Sequence, residues 1–174
     1  WYAEGTLLDS EGNNVPFAPR QALTAAAAGT PLVLWSAPPS PDLLRWMVAT
    51  VAPAQIYLCA RTTVDDGVPE LLRDIAGMCK YALGQDGMLD VARMAARIGM
   101  PEGLVRKALL WLDARNDIRV LEWGDGDFVQ IRQGYFQHHE ALAKELQEEV
   151  RGELYEVRAY RRFLQTVPVN DLDL

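Results

Sequence analysis

Two short stretches of the chain are apolar without a polar break, Pro31 to Trp35 and Ile56 to Ala60. Between them, Ser40 to Val51 has helical spacing, with Ser40 placed to cap and Pro41 in the first turn. This predicts a strand, helix, strand unit. Neither run alternates with polar residues, so both strands are expected to be covered on both faces and to lie parallel, joined by a right-handed crossover. Upstream, Thr6 to Leu8 reads as a weak strand and Asp9 to Asn14 as a turn cluster. Pro19 to Ala28 reads as a helix, with proline near its start and Gly29 at its end.

The polar stretch Arg61 to Pro69, with Asp65, Asp66 and Gly67, is the best boundary, because the period changes beyond it. Leu71, Leu72, Ile75, Met78, Cys79, Ala82 and Leu83 predict a helix from about Pro69 to Leu83. Leu89, Ala92, Met94, Ala95 and Ile98 predict a short second helix. The Gly99 to Glu102 turn then leads into a third, Pro101 to Ala114. Ile118 to Trp123 and Phe128 to Ile131 read as strands of a hairpin around Gly124-Asp125-Gly126. Three helices followed by a hairpin describe a winged helix. Tyr135 to Leu164, with Leu142, Leu146, Val150, Leu154 and Val157, predicts a returning helix that Pro168 stops. The expected fold class is therefore mixed α+β: a small parallel α/β layer over 1–66, a winged-helix subdomain over 67–134, and a C-terminal helix and tail over 135–174.

Composition narrows the function. The 174 residues are 49% hydrophobic, with 17 Lys and Arg against 24 Asp and Glu, a net charge of −7. A protein gripping duplex DNA through many phosphates normally carries the opposite sign, so any nucleic-acid contact is expected to be local. Cys59 and Cys79 lack metal-ligand spacing and read as buried free thiols of a reducing cytoplasm. The longest apolar candidate, Leu43 to Leu58, is interrupted by Arg45, Pro53 and Gln55, which argues against a membrane span. The chain opens Trp1-Tyr2-Ala3 in mid-pattern, and a piece of a longer protein is expected.

The segment Pro31-Leu-Val-Leu-Trp-Ser-Ala-Pro-Pro-Ser-Pro-Asp-Leu-Leu-Arg45, the strand Gln55-Ile-Tyr-Leu-Cys59, the stretch Glu70 to Ile118, and Glu153-Leu-Tyr-Glu-Val-Arg-Ala-Tyr-Arg-Arg162 together resemble a known domain. It is the C-terminal accessory domain of the bacterial RecJ family, single-strand-specific 5′-to-3′ DNA exonucleases among the DHH phosphoesterases. The resemblance covers about Asp9 to Arg162 and rests on element order and the Pro-Pro-Ser turn. It implies a hydrolase of DNA repair and recombination whose catalytic core holds divalent Mn or Mg between Asp and His residues. None of those motifs occurs in this chain, so no cofactor and no cleavage are expected of it. The only histidines, His138 and His139, are adjacent in what reads as a charged helix, and point roughly 100° apart rather than toward one ion. The resemblance also implies two partners: the catalytic core of the same polypeptide, and the acidic, phenylalanine-ending tail of single-stranded DNA-binding protein (SSB).

Candidate residues follow from charge and spacing. Arg93 and Arg97 lie one turn apart, and Arg106, Lys107 and Leu110 face outward on the third helix, with Trp111 as a further apolar contribution. Such a set suits an acidic peptide with a hydrophobic end. The plainer alternative is pairing with Asp90, Glu102 and Asp113 on a solvated surface. Duplex reading suits these positions poorly, because Glu102 and Asp113 share the outward face and Glu122, Asp125 and Asp127 surround the wing tip. Arg158, Arg161 and Arg162, with Arg151, Tyr155, Tyr160 and Phe163, form a candidate single-stranded DNA surface. Their alternative is pairing with Glu148, Glu149, Glu153 and Glu156. The Ser36-Ala-Pro-Pro-Ser40 turn lacks the glycines and lysine of a phosphate cradle and a histidine for a nucleophilic serine. The terminal Asn170-Asp-Leu-Asp-Leu174 is acidic and apolar and would imitate such a tail in the same pocket of a neighbour or of its own chain, the alternative being a frayed terminus. The rival class is a winged-helix transcription regulator with an α/β sensor half, and a weaker rival is a nucleotide-acting enzyme fragment.

Overall fold

A computed structural model describes residues 1–5, 19–61, 67–124, 126–135 and 138–172. The expected strand at Thr6 to Leu8 and the turn at Asp9 to Asn14 lie outside the described residues. The fold is mixed α+β, with a two-stranded parallel sheet and a three-stranded antiparallel one. The chain forms two compact units: Trp1–Asp65 with Ala96–Met100 and Glu156–Leu174, and Asp66–Ala95 with Pro101–Tyr155.

In the first unit, β1 (Leu32–Ser36) pairs in parallel with β2 (Ile56–Arg61), Leu32 opposite Ile56 and Leu34 opposite Leu58. Tyr2 bridges to Leu34 on β1. The crossover helix α1 (Pro41–Val51) starts as its sequence dictates: the Ser40 hydroxyl accepts from the Leu43 N–H at 3.2 Å, and Pro41, having no N–H to satisfy, sits at the first turn. Leu44, Met47 and Val51 recur at helical spacing and are buried with Leu32, Leu34 and Leu164, each worth about 1.5–3 kcal/mol of hydrophobic transfer. Leu172 packs partly against this core, while Asp173 and Leu174 lie outside the described residues.

Three expectations for this unit need correction. The Pro19 to Ala28 helix is only a 3₁₀ turn, Arg20–Ala25, because Ala26 leaves it with extended backbone (ψ 139°) and Gly29 turns at φ 81°. The sheet is not covered on both faces: Tyr57 and Cys59 on β2 are exposed, because apolar composition does not supply a covering layer. Cys59 is accordingly not a buried thiol.

A buried polar network ties the N-terminus to that 3₁₀ turn. Glu4 accepts from the Tyr2 hydroxyl (2.9 Å), the Arg20 backbone N–H (2.9 Å) and Arg20 Nε (2.7 Å), and its second oxygen meets Arg20 Nη2. The same Nη2 donates to the Met100 carbonyl at 2.9 Å, and the Glu4 N–H donates to the Ser36 hydroxyl at 3.0 Å. Burial first, then the Glu4 charge, pushes the Tyr2 hydroxyl well above its ordinary range.

The second unit contains α2 (Val68–Leu83), β3 (Met88–Asp90), most of α3 (Val91–Ile98), α4 (Glu102–Ala114), β4 (Ile118–Trp123), β5 (Phe128–Gln133) and the start of α5 (Glu140–Thr166). The sheet order is β3-β5-β4, antiparallel throughout, which is the winged-helix arrangement. Leu89 belongs to β3 and not to the second helix. The helix starts only at Val91, where the Asp90 carboxylate accepts the Arg93 N–H at 2.9 Å, an N-cap contact that holds Asp90 outside the helix. Gly87 (φ 76°) makes the turn into β3, and a Cβ there would lie 2.3 Å from the Ile131 carbonyl oxygen.

The returning helix begins at Glu140, later than expected from Tyr135. His138 and His139 precede it, and the His139 N–H donates to the Ala114 carbonyl while its own carbonyl accepts from Ala143. Along α5 the buried stripe is Ala143, Leu146, Val150, Leu154, Val157, Arg161 and Leu164. Leu142 stands about 100° from Ala143 on the helical wheel and is exposed, not core.

Candidate functional site

The outward face of α4 carries Glu102, Arg106, Lys107, Leu110 and Asp113, as spacing predicts, but its cations are engaged within the chain. Arg106 Nη2 reaches Asp127 at 2.9 Å, and its guanidinium lies 5.1 Å from the Trp123 ring centroid. Lys107 Nζ meets Glu149 at 2.7 Å and Glu153 at 2.6 Å, and these two hydrogen-bonded carboxylates hold its ammonium pKa above the usual lysine range. Leu110 is 37% exposed. Trp111 is buried, against its expected contribution to an exposed floor, because it falls on the α4 face that carries Ala108 and Leu112. Arg93 is exposed on α3 in the same unit, whereas Arg97 belongs to the other unit. Arg106 and Lys107 thus turn to different acids, Arg106 to the wing and Lys107 to α5.

The candidate DNA-stacking cluster also divides. Arg161 is 4% exposed and its guanidinium donates to the Gly99 carbonyl, where α3 ends in a left-handed turn (φ 66°). It lies on the buried stripe of α5 and is not presented at the surface, which corrects its assignment as a DNA contact. Arg158 is half-buried and Arg162 is exposed. The Tyr160 and Phe163 rings stack at 6.3 Å, and burial, opposed by Arg45, pushes the Tyr160 hydroxyl up to about 12. Arg151 pairs with Glu148 at 2.8 Å, and Tyr155 belongs with it to the second unit. The Ser36 hydroxyl accepts the Glu4 N–H and that of Ser40 caps α1, so both serines have structural partners. Of the wing acids, Glu122 is exposed, Asp127 pairs with Arg106, and Asp125 lies outside the described residues.

What the spacing arguments did not find is a groove of about 680 Å³ in the second unit. Its floor is apolar, formed by Leu72, Ala76 and Leu83 of α2 with Leu112 and Ile118. Arg73, Lys80 and Arg115 line it as cations, and Asp117 is the only acid among its lining residues. Arg115 Nε pairs with Asp117 at 3.0 Å, Arg73 makes only a 3.7 Å contact with its neighbour Asp74, and Lys80 forms no ion pair among the described residues. Comparison with protein-family models, with curated proteins and with solved structures finds no match. The geometry therefore carries the functional argument. A signal for the groove exists in the sequence: Pro69, Leu72, Arg73, Ala76, Lys80 and Leu83 fall at helical spacing on one side of α2 and mix small, apolar and cationic residues.

Among the described residues, no group of three His, Cys, Asp or Glu is placed to hold a metal ion, and no helix is long and apolar enough to cross a membrane. Burial pushes the Cys79 thiol, beside the groove, up to about 12, so it is protonated and inert at neutral pH.

Proposed function

We propose that this chain is the non-catalytic C-terminal accessory domain of a RecJ-like single-strand-specific DNA exonuclease acting in DNA repair and recombination. Its role is recruitment, through the acidic C-terminal tail of SSB, in the bacterial cytoplasm. The observation that supports protein rather than DNA contact is the state of α4: both cations on its outward face are taken by carboxylates, Arg106 by Asp127 and Lys107 by Glu149 and Glu153. A helix entering the major groove needs such cations for phosphates. In a chain of net charge −7, an acidic tail is held only where cations converge locally. Hydrolysis belongs to the remainder of the full-length enzyme, whose Mn or Mg would polarise the phosphate there. Among the described residues of this chain, no group fits that metal.

The test is fluorescence anisotropy of a labelled SSB tail peptide titrated with the chain, beside a peptide lacking the terminal phenylalanine. Binding of the intact peptide alone supports recruitment, and equal failure of both refutes it. The winged-helix arrangement itself favours a second reading, a transcription regulator. It predicts instead a steeply salt-dependent affinity for one duplex.

A further inference from the structure

We infer that the groove between α2, the end of α4 and the start of β4 is a docking site for an acidic, apolar peptide segment of a partner protein. The inference rests on the recruitment reading and adds its place and chemistry. Arg73 and Lys80 are seven residues apart on α2, two turns or about 10 Å along the helix axis. Arg115, just past the end of α4, also lines the groove, and Ala76, between Arg73 and Lys80 on α2, presents only a methyl group. A segment that fits carries two carboxylates about 10 Å apart with an apolar side chain between them, which seats over Ala76, Leu72 and Ile118.

Charge complementarity selects this occupant. The groove lining has three cations against one acid in a chain whose overall balance is seven negative, and Lys80 has no acid of its own among the described residues. Arg115 is already matched by Asp117, so the charges left for an occupant are those of Arg73 and Lys80, and a carboxylate gains a charge-assisted hydrogen bond at each. The site is distinct from Arg106 and Lys107, whose charges are already matched.

The experiment titrates the full chain against a short fluorescein-labelled peptide alternating Asp with Leu and Phe, and against the same peptide with Lys for Asp. Three variants are compared: Lys80→Glu, Ala76→Trp, which fills the groove without changing charge, and Lys144→Glu, an exposed charge control on α5. Circular dichroism confirms that each folds. The expected result is at least tenfold weaker binding for K80E and for A76W, unchanged binding for K144E, and none of the lysine peptide. If the wild type binds the acidic peptide and both groove variants bind it equally well, the groove assignment fails while recruitment stands. If no acidic peptide binds the wild type, recruitment fails and the groove assignment with it. Equal binding of the lysine peptide refutes the charge argument. Should A76W instead dissolve a dimer of the chain seen by sedimentation, the occupant is a second copy and the inference is overturned.

Discussion

Replacing Glu4 by Gln keeps the shape of a buried side chain and removes one charge, which makes it a direct test of the network that anchors the N-terminus. The Glu4 and Arg20 side chains are 1% and 8% exposed, and the carboxylate takes four donated hydrogen bonds, three of them from Arg20. With Gln, the guanidinium stays buried beside a neutral amide in place of the Glu4 carboxylate, and one carboxylate oxygen becomes an NH2 facing donors. Breaking a buried pair from one side costs about 3–5 kcal/mol. At roughly 2–4 °C per kcal/mol for a chain of this size unfolding as one, the melting midpoint should fall by about 6–20 °C. Urea unfolding by circular dichroism, with amide exchange at Leu34 on β1 as the local probe, reads this loss. The double variant Glu4→Leu/Arg20→Met, which removes both charges, should recover at least half of it, although the Arg20 N–H still loses its acceptor. A cost under about 1 kcal/mol for E4Q alone would refute the claim that the pair is a buried, mutually dependent unit.

Three further outcomes are expected. Because the folded-state thiol of Cys79 titrates near 12 rather than at its ordinary 9.0, its contribution is complete below pH 9 and is lost as pH rises. Unfolding free energy should therefore fall by up to about 1.4 kcal/mol per pH unit just above pH 9. Cys79→Ala should flatten that slope between pH 9 and 10, below the ordinary range of the Tyr2 and Tyr160 hydroxyls, which are raised too, and a thiol reagent should label Cys59 quickly and Cys79 only on unfolding. Leu109→Ala, at a fully buried position of α4, should cost about 2–5 kcal/mol in urea unfolding, while Leu110→Ala beside it should stay within about 0.5 kcal/mol. Ser40→Ala should cost about 1 kcal/mol by removing the α1 cap, with Ser40→Gly milder.

Periodicity made the regular elements legible. The strand, helix, strand unit and the hairpin are visible because each has a run of one period bounded by proline, glycine or a capping serine. The failures have physical causes. Leu89 fits the helical spacing of its neighbours, yet the three residues of β3 are set by pairing with β5, which no local pattern records. Arg161 reads as a surface cation by residue type, and only its place on the α5 stripe, four residues after Val157 and three before Leu164, points inward. Pairing of Arg106 and Lys107 was open from composition, but choosing Asp127, Glu149 and Glu153 as partners required the tertiary fold. The groove went unread for the opposite reason: its α2 stripe is visible, but α4 and β4 supply the other wall.

The first unit is built from three separated stretches of chain, Trp1–Asp65, Ala96–Met100 and Glu156–Leu174. On a translating ribosome its parallel strands emerge before the second unit, but Leu164, part of their core, and Arg161, which holds the Gly99 carbonyl, emerge after it. The second unit, from Asp66 to Tyr155, is complete before then apart from the short Ala96–Met100 stretch. Synthesis order and loop-closure entropy therefore favour the second unit folding first, with the N-terminal strands waiting for the end of α5. No single cut in the sequence separates the two units: trimming to Asp66–Tyr155 isolates the second with Ala96–Met100 still attached, whereas the first is left in three pieces and calls for a rearranged chain.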